Sequence, residues 1–347
     1  MNIIDCDIHN QPRSFLELEP YLADHWRDYL NESAFIGPDA NDYPSGVPLV
    51  LRPELKKFQE ERGDLDLATL RSQHLDKKPI DFGILTCCYW VQSVHHPDLA
   101  AALATALNQW QVEHWLELEP RLRASLVVPS QLPELAAREI DRWGEHPGFV
   151  QVLLPVRSDA PYGNRRYEPI YAAAARHDLP IGIHYGGAAG HPPTPCGWPS
   201  TFVEEYVDMA QLFQSQVMSL IIEGTFARFP SLRVALIESG FTWMPSLMWR
   251  MDKEWKGLRH NIPWVKRPPS DYMREHIRLT TAPLDAPPET GQLMQIIEQM
   301  ESQEMLLYAS DYPHWHTDDS MALFESGLSA KLQAKIGAEN ARTFYGL

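Results

Sequence analysis

With 347 residues, 44% of them hydrophobic and 22% charged, the chain can bury a sizeable core as one large domain or two small ones. A formal net charge of -16 and a pI near 5.3 leave no basic footprint for nucleic acid or for an anionic membrane face. No apolar stretch approaches the roughly 18 to 20 residues that span a bilayer, and no basic-then-apolar leader precedes the first strand-like run, so the cytoplasm is the expected compartment.

In chain order, the first apolar run, Ile3-Ile4-Asp5-Cys6, leads into Asp7-Ile8-His9. In an extended segment residues i and i+2 face the same side, so Asp7 and His9 present a carboxylate and an imidazole in one direction, within about 7 Å along the strand. Residues 11–81 follow as a long, proline-punctuated insertion with a short helix expected near 53–62. Seven further runs are predicted as strands: 82–86, 124–128, 149–154, 179–184, 234–238, 277–281 and 305–310. Helical spacing between them predicts helices at about 97–116, 134–144, 168–177, 203–227, 243–258, 290–301 and 318–326. Two more insertions, 187–202 and 258–275, are rich in Gly, Pro or bulky polar residues and are candidates for a substrate lid.

Continuous apolar runs alternating with helices suit parallel strands covered on both faces. Eight such units predict a (β/α)8 barrel of α/β class, a single domain carrying the three insertions. The alternative is an open doubly wound sheet with an added lobe, but no glycine-rich phosphate loop follows the first strand. The cysteines, Cys6, Cys87, Cys88 and Cys196, show no C-x-x-C spacing and read as buried thiols.

In a parallel barrel the C-terminal strand ends share one face, so Asp7, His9, His184, Glu238 and Asp311 are expected at a common mouth. Imidazole with carboxylate suits zinc, or manganese and iron with more oxygen ligands. Within Pro313-His314-Trp315-His316, His314 and His316 flank Asp311 and are expected near substrate. His191 reads as solvent-facing. Among eleven tryptophans, Trp198 and Trp243 follow strand ends and favour an aromatic or bulky apolar substrate.

These residues carry a resemblance. Ile4-Asp5-Cys6-Asp7-Ile8-His9, Ile183-His184-Tyr185-Gly186-Gly187, Glu238-Ser239-Gly240 with Trp243-Met244-Pro245, and Ser310-Asp311-Tyr312-Pro313-His314 stand in this order along nearly the whole chain. The chain resembles the amidohydrolase superfamily, in the family 2 branch that contains the aminocarboxymuconate semialdehyde, resorcylate and carboxyvanillate decarboxylases. The tail from Gly337 to Leu347 resembles that family's closing helix. The resemblance implies one divalent metal held by Asp7, His9, His184 and Asp311, with no lysine after the fourth strand to bridge a second. It also implies a homodimer.

One departure matters. In the decarboxylases the sixth strand ends in a histidine acting as general acid or base, and here the matching residue is Glu238. Proton delivery to an aromatic carbon is thereby put in doubt, while hydrolysis by a metal-activated water stays natural. The expectation is therefore a hydrolase of a small cyclic or aromatic amide, ester or lactone, with zinc as the first choice of metal and Glu238 or Asp311 moving the proton. The alternatives are a nonoxidative decarboxylase of an aromatic or muconate-like acid, and a barrel that only binds.

Overall fold

The computed structural model describes residues 2–38, 66–187, 192–194, 196–314 and 321–347. The apolar runs form eight strands: β1 (Ile3–His9), β2 (Ile80–Thr86), β3 (Leu122–Val127), β4 (Phe149–Pro155), β5 (Ile181–His184), β6 (Val234–Ile237), β7 (Ile277–Thr280) and β8 (Leu306–Leu307). Each pairs in parallel with the next, in the order β1 to β8. The seam between the last strand and the first is bridged by backbone bonds, with the Cys6 N–H donating to the Tyr308 carbonyl at 2.9 Å and the His9 N–H to the Tyr312 carbonyl at 2.8 Å. The fold is the expected (β/α)8 barrel.

The strand β8 is shorter than predicted because side chains interrupt its ladder. The Ala309 N–H donates to the Thr281 hydroxyl at 3.1 Å and the Ser310 N–H to the Asp5 carboxylate at 2.9 Å. Around the strands lie α1 (Asp24–Glu32), α2 (Pro97–Gln111), α3 (Pro133–Trp143), α4 (Glu168–Arg176), α5 (Phe202–Ile222), α6 (Met244–Leu258), α7 (Pro269–His276), α8 (Thr290–Gln299) and a closing helix α9 (Asn340–Tyr345). Proline in the first turn starts α2, α3, α4, α6 and α7, where its missing N–H costs nothing. A capping box of Thr201 and Glu204 starts α5. Among the described residues no helix is long and apolar enough to cross a membrane.

The expected helix near 53–62 lies outside the described residues, as do 188–191 and 195 of the second insertion and 318–320 at the start of the last predicted helix. Several elements within the expected insertions had no predicted counterpart, and two of them are helices of eight residues or more. One is α1, and the other is α7, which is fastened to α6 by Ser270 hydrogen bonds to Asp252 of 2.9 and 2.7 Å.

Two apolar layers position the mouth. Ile4, Cys6, Ile84, Val150, Ala235, Ile237 and Leu307 form an inner cluster together with Phe344 and Tyr345 of α9. A larger cluster, which includes Ile3 and Ile8, packs the strands against the helices. The strand β1 thus changes parity: Ile4 and Cys6 join the inner cluster, yet Ile8, also even-numbered, joins the outer one. The register against β2 shifts between Asp5 and Ile8, the mark of a bulge. That irregularity separates Asp5, which bonds His74, from Asp7, which faces the barrel mouth.

Candidate metal centre

Asp7 and His9 end β1, His184 ends β5, Glu238 directly follows β6, and Asp311 and His314 follow β8. The expected residues Asp7, His9, His184, Glu238, Asp311 and His314 come together. His9 Nε2 lies 2.8 Å from Asp311 Oδ1, 3.4 Å from Glu238 Oε1 and 3.7 Å from Asp7 Oδ1. His184 Nε2 lies 3.6 Å from Asp7 and 3.8 Å from Glu238. His314 Nδ1 is 2.9 Å from Asp311 and 3.5 Å from Glu238.

The backbone is bent to bring the two late carboxylates in. Glu238 has φ 58° and Asp311 φ 52°, both in the left-handed region, which costs a non-glycine residue about 1–2 kcal/mol. Gly240, at φ 60°, completes the turn after β6 in the left-handed region that glycine adopts without strain, and a Cβ there would press on the Asp285 carboxylate. Trp243 braces the same turn by donating its indole N–H to the Ser239 carbonyl at 2.9 Å. Backbone strain of this kind persists where the surroundings over-determine it, which is typical of functional sites.

The donor set fits a divalent cation. Ligand atoms of Asp7, His9, His184 and Glu238 lie within 4.8 Å of one another, as do those of His9, Glu238, Asp311 and His314. His184 Nδ1 sits 2.7 Å from the Tyr185 carbonyl, a bond that only an N–H can make, which leaves Nε2 as the nitrogen that faces the carboxylates. Thr86 donates its hydroxyl to Asp7 Oδ1, while Asp7 Oδ2 is buried without a hydrogen bond. Burial raises the Asp7 carboxyl above its ordinary range, His184 and His9 pull it back, and Asp311 raises it again. Burial opposes charge on His9 and His184, but Cys88 and the carboxylates hold both imidazoles well above their ordinary value. Protons thus gather where a cation would replace them.

The Amidohydrolase family model matches residues 4–347. The chain belongs to this family. Two curated relatives are γ-resorcylate decarboxylases: one from Rhodococcus jostii (strain RHA1), 25% identical over 92% of this chain and 98% of its own length, and one from Polaromonas sp. (strain JS666 / ATCC BAA-500), 26% identical over 96% and 98%. A solved dihydroxybenzoic acid decarboxylase from Polaromonas sp. JS666, with bound manganese and the inhibitor 2-nitroresorcinol, shares the fold with a TM-score of 0.72 at 24% identity, covering 100% of this chain and 98% of the other.

These relatives overturn hydrolysis as the first expectation. That expectation rested on Glu238 replacing a histidine, and it overlooked where His314 lands. The loop after β8 carries an imidazole to within 3.5 Å of Glu238, so the mouth of this amidohydrolase does not lack one. Burial disfavours charge on His314, yet Asp311 and Glu238 outweigh it and hold the imidazole at about 9.

Other expectations divide. Trp243 supports the Glu238 turn, and Trp198 is exposed. His191 and His316 lie outside the described residues. Three residues near the centre of this amidohydrolase carried no signal in the sequence. Cys88 lies 3.6 Å from His184 and is half-buried, where a buried thiol was expected. Tyr206 of α5 has its phenol pushed far up, first by burial and then by the negative charges of Glu238 and Asp311. Arg157, two residues past β4, forms a buried ion pair with Glu205, which also accepts a hydrogen bond from the Tyr185 hydroxyl at 3.3 Å. A basic residue just past a strand end is the only hint, and only Arg157 offered it.

Proposed function

We propose that this amidohydrolase is a metal-dependent, nonoxidative decarboxylase of an aromatic acid with a hydroxyl ortho to its carboxylate. The observation that carries the proposal is the pairing of Glu238 with His314 at 3.5 Å, where Glu238 belongs to both convergent donor groups, Asp7, His9, His184 and Glu238 in one and His9, Glu238, Asp311 and His314 in the other. The γ-resorcylate decarboxylases similar to nearly the whole chain support the same chemistry.

Asp7, His9, His184 and Asp311 are proposed to hold one divalent cation; two imidazoles with carboxylates suit manganese, iron or zinc. When bound, such an ion supplies the positive charge that anchors a carboxylate and its neighbouring hydroxyl. Tyr206, packed against Tyr185 and Phe202 at centroid distances of 6.1 and 5.6 Å, offers an aromatic wall for the ring. In the reaction the bond between ring carbon and carboxylate breaks, its electron pair stays on the ring carbon, and carbon dioxide leaves. The Glu238–His314 pair gives that carbon a proton and recovers one from solvent. His314, protonated at neutral pH, keeps the pair loaded.

The test is carbon dioxide release from 2,6-dihydroxybenzoate and a panel of ortho-hydroxybenzoates, run in deuterated water so that the vacated carbon acquires deuterium. Glu238→Gln should keep the fold and the metal and lose about 10²- to 10⁴-fold in turnover. Metal-loaded wild-type protein that releases no carbon dioxide from any of these acids overturns the proposal. Loss of metal from Glu238→Gln instead makes Glu238 a ligand and transfers the proton to another group.

A further inference from the structure

A third group of convergent donors joins His9 and His184 to Cys88, a residue with no part in the chemistry just described. Their ligand atoms lie within 4.8 Å of one another. Cys88 Sγ is 3.6 Å from His184 Nδ1 and 3.8 Å from Nε2. Since Nδ1 is engaged with the Tyr185 carbonyl, Nε2 is the nitrogen that the thiol and the carboxylates have in common.

The vicinal cysteines behave differently. Cys87 is fully buried within the apolar core, whereas Cys88 is half-buried against the imidazoles. Independently of the thiol, Asp7 Oδ2 is a buried carboxylate oxygen without a hydrogen bond, and Asp7 Oδ1 approaches both imidazoles that Cys88 faces, His9 at 3.7 Å and His184 at 3.6 Å. A carboxylate-rich set is hard and accepts manganese readily; a thiolate in the same set is soft and favours zinc, cobalt or cadmium.

We propose that Cys88 is a sulfur donor to the metal ion held by His9 and His184, and that it turns this centre toward softer divalent cations than carboxylates and imidazoles alone would select. The proposal rests on the metal-centre reading above. On binding, the S–H bond breaks, sulfur keeps the electron pair for the cation, and the proton passes to solvent.

Cobalt(II) added to the full metal-depleted chain tests it without reference to activity. Visible d–d bands report cobalt in the centre, and a near-ultraviolet sulfur-to-cobalt charge-transfer band reports a bound thiolate. Wild type should show both. Cys88→Ser should keep about one cobalt per chain and its visible bands but lose the near-ultraviolet band, and its preference for zinc over manganese should fall by about tenfold or more. Cys87→Ser and Cys196→Ser should retain both bands. Visible bands without the charge-transfer band in wild type, or a charge-transfer band that survives in Cys88→Ser, overturn the role of Cys88 and leave the metal centre standing. Absence of any cobalt binding overturns both. If Cys88→Ser does not fold, the wild-type and Cys87→Ser spectra decide the question.

Discussion

Asp5 and Asp7 stand two residues apart on one strand, and both are fully buried. Asp5 is saturated: one oxygen accepts the Ser310 N–H at 2.9 Å, and the other is 2.7 Å from His74 Nε2, whose ring stacks on Tyr312 at 4.8 Å. Asp7 is not. One of its oxygens bonds Thr86 and approaches two imidazoles, the other has no hydrogen bond, and Glu238 and Asp311 crowd the same mouth with like charge. The bulge between them sends one carboxylate to the seam that closes the barrel and the other to the centre that the barrel displays. A buried carboxylate whose oxygens are all engaged holds structure together, whereas one left short of partners keeps capacity for a ligand.

The largest effect that tests this contrast is on stability. Asp5→Ala leaves His74, which is buried, without its carboxylate and removes the acceptor of the Ser310 N–H. The expected loss is about 3–5 kcal/mol, measured by urea denaturation of the metal-free protein. A loss below about 1 kcal/mol would break the comparison, because the seam would then not depend on Asp5.

The smaller effect of Thr86→Val sharpens it. The threonine hydroxyl orients Asp7 from β2 and touches no other member of the centre in the described residues. Valine keeps the shape and the β preference, so the fold should persist. Metal affinity should fall by about 10- to 100-fold, the usual range for a partner that orients a ligand. Competition with a chromophoric chelator reads it. Unchanged affinity would mean that Asp7 is positioned by the strand alone.

How far this division could be read in the sequence follows from what each side is made of. Parallel strands buried on both faces are spelled by Val, Ile and Leu, so all eight were legible, and polar residues ending such runs marked Asp7, His9, His184, Glu238 and Asp311. Asp5 was read only as part of the first apolar run, and its separation from Asp7 went unseen because a single-residue bulge leaves no mark in composition. His74, Cys88 and Tyr206 were invisible for another reason. Each reaches the centre or the seam through a contact between residues distant in sequence, 69 positions apart for His74 and Asp5 and 96 for Cys88 and His184. His314 was noticed beside Asp311, but its approach to Glu238 depends on how the loop after β8 folds back, and local spacing does not encode that.

The smallest effect is also the one whose sign the comparison stakes most on. Asp7→Asn keeps an oxygen for the Thr86 hydroxyl and removes a charge from a mouth that Glu238 and Asp311 already load with like charge. Burial raises the Asp7 carboxyl above its unfolded value, so in the metal-free protein the native state binds more protons than the unfolded one in the window just above the ordinary carboxylate range. Stability contributed by this group is therefore lost as pH rises through that window, and at neutral pH its charge costs the fold rather than helping it. The substitution should leave the metal-free protein as stable as wild type, or more stable by up to about 1 kcal/mol, the exchange of stability for function seen at active sites. Divalent metal should raise the melting temperature of wild type and not that of Asp7→Asn, since a ligand stabilises only the state that binds it. A metal-free Asp7→Asn protein destabilised as much as Asp5→Ala would place both aspartates in the scaffold and remove the distinction between seam and centre.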